Sequence, residues 1–270
     1  VVYRPIPRDR DQAFGKYDGA VLSPLMRIPA LRHMQGYSED IRSVKWFNME
    51  PYPMDLAFVV NATEKDWIEQ ARYISAHLTD QDIDTAFSNL PQEVQDAAID
   101  EIKQKLKVRR THLEKYASEY YKVLHKTVLV VGTDKKDKFL IDRSKDGEIT
   151  IITSRMKKDG EEVTNTKTYT PDETKEIWVY GLDDDDIFEV KGNGKSAIKL
   201  RLLGGQNHDT YQIENGKKVI VYDFKSKENT YTVDKKTRKF LTDDYEINTY
   251  DYKKPKYSAF NSLPTIGYNP

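Results

Sequence analysis

The chain has no cysteine among its 270 residues. Disulfides, thiolate nucleophiles and cysteine-based zinc sites are therefore excluded, while the compartment stays open. No apolar run approaches the ~18–20 residues of a membrane-spanning helix. Excess charge of one sign is missing too: 43 Lys and Arg face 44 Asp and Glu. The balance is local, with 18 basic and 19 acidic residues in 1–126 and 25 of each in 127–270. Neither half has the positive field that nucleic acid recognition needs, so no nucleic acid partner is expected. A G-x-S-x-G elbow, a P-loop and a Rossmann fingerprint are all absent. His33, His77, His112, His125 and His208 are scattered, with no H-E-x-x-H and no i, i+4 pair, and read as surface or packing residues.

What is present suffices for one large domain or two ordinary ones. Eighteen Tyr against nine Phe and three Trp point to sheet faces and aromatic edges. Residues 1–8 read as a short strand interrupted by Pro5 and Pro7, and 9–19 as a polar loop. Residues 20–56 read as irregular, broken by Pro24, Pro29, Pro51 and Pro53. From Asn61 a helical period begins. Thr63 is placed to cap a helix with the stripe Trp67, Ala71, Ile74 and Leu78. Thr79 or Asp80 caps a second, with Ile83, Ala86 and Phe87 on one face. Pro91 starts a third, with Val94, Ala98, Ile102 and Leu106 spaced for burial and an extension through Leu113 to Leu124.

Near Lys126 the period changes from 3.6 to 2. Thr127–Thr133, Lys138–Asp142, Glu148–Ser154 and Val163–Tyr169 alternate like strands, with turns at Asp146-Gly147 and Asp159-Gly160. Beyond them lies an internal repeat. Ile177–Leu182, Ile198–Leu203 and Val219–Phe224 align at a spacing of 21 residues. Each is followed by a polar turn and a second short strand: Ile187–Val190, Thr210–Ile213 and Thr230–Val233. The expected fold class is α+β, with a helical part over 1–126 and an all-β part over 127–242. That β part reads as a solenoid-like stack of rungs or as a meander of hairpins. Residues 243–270 read as an extended linker.

Two motifs bear on chemistry. Asp9 and Asp11 lie two residues apart on an extended segment and so point the same way, which suits Mg²⁺ or Mn²⁺. Phe14 and Gly15 would anchor that segment. The plainer reading of the same aspartates is that they pair with Arg8 and Arg10 or cap turns. Leu202-Leu-Gly-Gly-Gln-Asn-His-Asp209 resembles a degenerate calcium rung of repeat toxins, with Asn207 where a third Gly belongs. Asp209, with Asp184 from the Asp183–Asp186 run, is a weak calcium candidate; a metal-free tight turn is the plainer reading.

Tyr3-Arg-Pro-Ile-Pro-Arg-Asp-Arg-Asp-Gln-Ala-Phe-Gly-Lys-Tyr-Asp-Gly19 resembles a segment of large envelope proteins of the Bacteroidetes type. In that family a metallophosphoesterase-like domain often comes first and a BamA-type, surface-antigen outer-membrane β-barrel closes the chain. Phe260-Asn-Ser-Leu-Pro-Thr-Ile-Gly-Tyr-Asn-Pro270 is similar to the lead-in to such a barrel. Within this resemblance, Arg8–Gly15 is similar to the D-x-D-x-A-F-G metal loop of CotH-like atypical kinases. Arg109-Arg110 followed by Leu113 is similar to the C-terminal helices of that lobe. The likeness implies a metal-ligand position at Asp9 or Asp11. The abrupt start at Val1 and end at Pro270 add the expectation of an internal piece.

The leading expectation is a non-enzymatic periplasmic module at the outer membrane. Its partners would be other domains of its own chain, and it would meet the membrane only through the barrel. One alternative is part of an active metal-dependent kinase-like phosphotransferase. A second is a protein- or glycan-binding β-surface using Trp178, Tyr180, Tyr211, Tyr222 and Tyr231.

Overall fold

A computed structural model of the chain describes residues 13–252, apart from 18, 21, 29, 30 and 60. Asp9 and Asp11 lie outside the described residues. The class is α+β: helices come first, two sheets of five and six strands follow, and neither closes into a barrel. The chain divides into two compact units. One comprises the described residues up to Tyr52 together with 61–123; the other comprises 53–59 and the described residues from Leu124 onward. Among the described residues no helix is long and apolar enough to cross a membrane.

The first stretch, expected to be irregular, carries three short helices: α1 (Leu22–Leu25), α2 (Val44–Phe47) and α3 (Tyr52–Phe58). Then come α4 (Glu64–His77) and α5 (Asp80–Ser88), both started by capping boxes. Thr63 N–H donates to Asp66 Oδ2 at 2.7 Å and Thr79 N–H to Asp82 Oδ2 at 2.7 Å. Each Thr oxygen accepts the return bond from the Asp backbone N–H. Such caps are worth about 1 kcal/mol each.

The third helix departs from expectation. Pro91 starts only a single 3-10 turn, Gln92–Val94. The helix α6 (Ala97–Thr111) is capped instead by Asp96, whose carboxylate accepts from Ala98 and Ile99 at 2.9 and 3.2 Å. It stops at His112, and α7 (Leu113–Leu124) is separate. No residue of α6 is fully buried, so the expected stripe of Val94, Ala98, Ile102 and Leu106 does not form a core face. Polar contacts hold α6 to its neighbours: Lys107 pairs with Asp84 at 2.9 Å, Arg110 with Asp80 at 2.8 Å, and Ser75 Oγ donates to the Arg110 carbonyl. The buried face belongs to α7, where Tyr116, Tyr120 and Leu124 recur every four residues. Trp67 of α4 meets Tyr120 edge-on at 5.6 Å.

The second unit holds the strands β1 (Thr127–Val131), β2 (Asp137–Arg143), β3 (Ile149–Lys157), β4 (Gly160–Tyr169), β5 (Glu176–Leu182) and β6 (Ile187–Lys191). It continues with β7 (Lys199–Gly205), β8 (Thr210–Ile213), β9 (Val219–Asp223), β10 (Thr230–Val233) and β11 (Arg238–Leu241). One sheet runs β1-β5-β7-β9-β11, parallel throughout. The other runs β10-β8-β6-β2-β3-β4, parallel from β10 to β2 and antiparallel across the β2–β3–β4 hairpins. From β5 onward the chain alternates between the sheets. The expected 21-residue spacing is not the register. Ile177 pairs with Leu200 and Leu200 with Val219, offsets of 23 and 19. Both errors are of two residues, so the residues read as inward-facing remain so.

The core is built of columns. Ile177, Leu200 and Val219 are fully buried in register, as are Val179, Leu202 and Val221. In the second sheet Phe139, Phe188, Tyr211 and Tyr231 stack ring on ring at 5.1, 5.0 and 5.3 Å, with interplanar angles of 17°, 8° and 6°. The stretch from Asp243, read as a linker, begins with the helix α8 (Tyr245–Asn248). Asn248 is buried, and Tyr250 packs edge-on against Tyr180 at 5.0 Å.

Candidate functional site

Each passage from the first sheet to the second uses a short turn, and the turns repeat their chemistry. Gly132, Gly181 and Gly204 are each followed five residues later by Asp137, Asp186 and Asp209. Next come an aromatic residue two positions on and an aliphatic residue four positions on: Phe139 and Ile141, Phe188 and Val190, Tyr211 and Ile213. A fourth copy reads Asp223, Asn229, Tyr231 and Val233. This motif, which includes β1 and β2, is the true repeat; a fixed spacing of 21 hides it because the connections differ in length.

The aspartates form a ladder. Asp186 Oδ1 accepts the Asp137 N–H at 2.7 Å, Asp209 Oδ1 the Asp186 N–H at 2.8 Å, and Asn229 Oδ1 the Asp209 N–H at 2.7 Å. Each side chain thus satisfies a backbone donor that the turn leaves without a strand partner. The glycines make room for it. A methyl at Gly181 would collide with Asp186 Oδ2, and one at Gly204 with Asp209 Oδ2 and the Tyr211 hydroxyl.

The ladder positions are not electrically alike. Asp137 holds Arg155 Nε at 2.9 Å and accepts from the Thr133 N–H and hydroxyl at 2.6 and 2.8 Å. Asp186 and Asp209 are fully buried, and among the described residues neither Oδ2 has a hydrogen-bond partner. Burial pushes Asp186 up to about 9 and Asp209 up to about 8, with neighbouring carboxylates adding to both shifts. Asp223 occupies the glycine position of the last copy. Burial raises it to about 6, and its Oδ2 accepts the Tyr211 hydroxyl at 2.6 Å.

The sequence-derived candidates fall on this region in different ways. Asp209 is a buried ladder residue, and Asp186, the last of the Asp183–Asp186 run, is buried as well. Asp184 lies in the half-exposed turn with φ of 72°, and its Oδ1 accepts the Asp185 N–H at 2.9 Å. Its neighbours tie successive turns together: Asp183 Oδ1 accepts from Asn207 Nδ2 at 2.8 Å and Asp185 Oδ1 from the His208 N–H at 3.1 Å. Among the described residues no three His, Asp or Glu side chains gather as a metal-holding group.

Of the five aromatic residues considered for a binding surface, Tyr211 is wholly inside the stack and Tyr180 is covered. Trp178 and Tyr222 flank Arg201, whose guanidinium lies 4.6 Å from the Trp178 ring centroid and which also bonds Glu176 and the Tyr222 hydroxyl. Phe14 meets Tyr37 edge-on at 5.0 Å, and the Gly15 carbonyl accepts the Tyr37 N–H at 2.9 Å. Sequence reading also missed Arg143. It is buried, donates to Ser196 Oγ and the Lys217 carbonyl at 2.6 and 2.7 Å, and burial pushes it down to about 10.

No protein-family model matches the chain, and no curated protein or solved structure is significantly similar to it.

Proposed function

We propose that the chain is a non-enzymatic structural module. Its β unit would be a short, two-sided solenoid-like stack that joins the helical unit to an outer-membrane barrel on the periplasmic side. The observation that carries this reading is where the β unit spends its buried polar groups. Asp186, Asp209 and Asn229 each bond the backbone of the preceding repeat, so the motif most regularly repeated serves to hold strand against strand. Supporting it are the parallel in-register pairs, which let each repeat bury its apolar columns on the next. The likeness of the Tyr3–Gly19 and Phe260–Pro270 segments to envelope proteins supports the proposed location.

Fractionation of native cells, with detection of this segment, tests the proposal. Recovery with the outer membrane is expected; recovery in the cytosol free of membrane would overturn it. Calorimetry with Mg²⁺, Mn²⁺ and ATP, set against an Asp11→Asn variant, tests the non-enzymatic half. The expected result is no heat that depends on Asp11, and a saturable Asp11-dependent heat would sink it.

A further inference from the structure

The helical unit carries a cavity of about 390 Å³ whose described lining includes Arg27, Arg32, Arg42, Trp46, Gln35 and Ser43. Arg27, Arg32 and Arg42 line it, and among the described residues no Asp or Glu does. None of the three makes an ion pair among the described residues. That is unusual in a chain whose acidic and basic residues nearly cancel and whose other helices are laced with ion pairs. The described acids nearby in sequence are not among its lining residues. Asp40 is engaged by His112 at 2.9 Å, Tyr116 at 2.9 Å and Lys115 at 3.6 Å, while Glu50 faces His33 at 3.9 Å.

The walls are held in place. Gln35 is buried and bonded twice to Ser43, donating from Nε2 to the carbonyl at 2.8 Å and accepting the N–H on Oε1 at 2.9 Å. Arg32 is fixed by its Nε bond to the Arg27 carbonyl at 3.0 Å and by the Trp46 ring, whose centroid lies 4.9 Å from its guanidinium carbon. Lys45 adds a further cation 5.0 Å from the same ring. The Ser43 side chain makes no capping bond to α2, so its hydroxyl is a donor on hand.

Like charges gathered in one concavity repel, and an anion between them removes that repulsion while gaining charge-assisted bonds. Three planar forks and a hydroxyl offer more donors than the two oxygens of a carboxylate can use; the three terminal oxygens of a phosphoryl group match them better. The volume falls within the ~300–1,000 Å³ of small-ligand sites, so a group carrying the phosphate also fits. We propose that this cavity binds a phosphate monoester, with Arg27, Arg32 and Arg42 as its clamp. The site is independent of the structural role of the β unit, and neither reading stands or falls with the other.

The test is isothermal titration of the full chain with inorganic phosphate, glycerol 3-phosphate and acetate at constant ionic strength. One saturable site for the two phosphates is expected, with acetate weaker. Arg27 and Arg42 are exposed, so Arg27→Gln and Arg42→Gln should leave the melting temperature unchanged. Each substitution should weaken phosphate binding by about tenfold, the share of one charge-assisted contact. Flotation with vesicles that carry phosphatidic acid separates a membrane-borne ester from a soluble one. Binding of either that is weakened about tenfold in both variants supports the site. Absence of saturable binding to every phosphate probe, or binding that both variants retain in full, would overturn it.

Discussion

At the scale of single residues, the glycines of the repeat matter through the atoms they lack. Gly204 sits where Asp209 Oδ2 and the Tyr211 hydroxyl both crowd the missing Cβ. Gly181 faces Asp186 Oδ2 and the Gly204 carbonyl in the same way. Neither obstacle is the far end of a flexible chain: each carboxyl is held by a ladder bond and one obstacle is backbone. Gly204→Ala should therefore lower stability by about 2 kcal/mol or more, as overpacking at a rigid site does. The check is the urea midpoint, with an unchanged slope showing that the fold survives. A wild-type midpoint would mean that the ladder yields easily. Turn conformation repeats as well. Gly205 has φ of 105°, and its register partner Leu182 adopts 91°, a left-handed backbone that a bulky residue takes only under tertiary constraint.

At the scale of elements, the ladder makes the β unit sensitive to pH. Asp186 and Asp209 share their surroundings with Asp137 and its partner Arg155, with Asp184, Asp185 and Asp223, and with the Tyr211 phenol. Among the described residues Arg155 is the one cation bonded within the ladder, and it serves Asp137. In the unfolded chain a carboxyl ionises near ~3.9. In the fold these two keep their protons until about 9 and about 8. Between those limits the unfolded state binds fewer protons, so stability is full at acid pH and falls as pH rises from about 4 to about 9. Asn229 fills the next ladder position with a neutral amide in the same geometry. Asp186→Asn and Asp209→Asn should accordingly leave stability at pH 4 nearly unchanged. At pH 8 they should raise it by on the order of 2 kcal/mol, flattening the pH profile. Melting temperatures across that range measure this; variants that keep the wild-type slope would show that the two carboxyls do not carry it.

At the scale of the whole molecule, the chain order of the two units is not simple. Residues 53–59 belong with the strands, although Asn61–Val123 of the helical unit lies between them in sequence. Leu56 within that insert is fully buried. A fragment of residues 124–255 should thus melt below the β unit of the intact chain, because it lacks an element of its own core. Scanning calorimetry of the two decides it, and identical melting would contradict the assignment of 53–59. At one edge of the second sheet, β4 is long and exposed but carries Glu161, Glu162 and Lys167, charges that discourage pairing with other chains.

Much of this was legible without coordinates. The helix starts at Thr63 and Thr79 follow from side chains that bond their own backbone three residues away, and the change to strands near Lys126 from a period visible within a few residues. Local chemistry of this kind needs no partner from elsewhere in the chain. Register, burial and charge state needed the tertiary structure, because each depends on atoms distant in sequence. The aliphatic alternation of Ile177–Leu182 shows which residues face inward, yet a two-residue slip leaves that pattern intact, so only pairing across strands decides between offsets of 21 and of 23 and 19. The third helix was misjudged for the same reason: Asp96 competes with Pro91 as its start, and ion pairs to α5 replace the apolar contacts its stripe suggested. An aspartate in a polar turn looks solvated wherever it stands. That Asp209 is interior while Asp184 is not follows from the stacking of one turn on the next, which brings a backbone N–H to Asp209 and shuts water out.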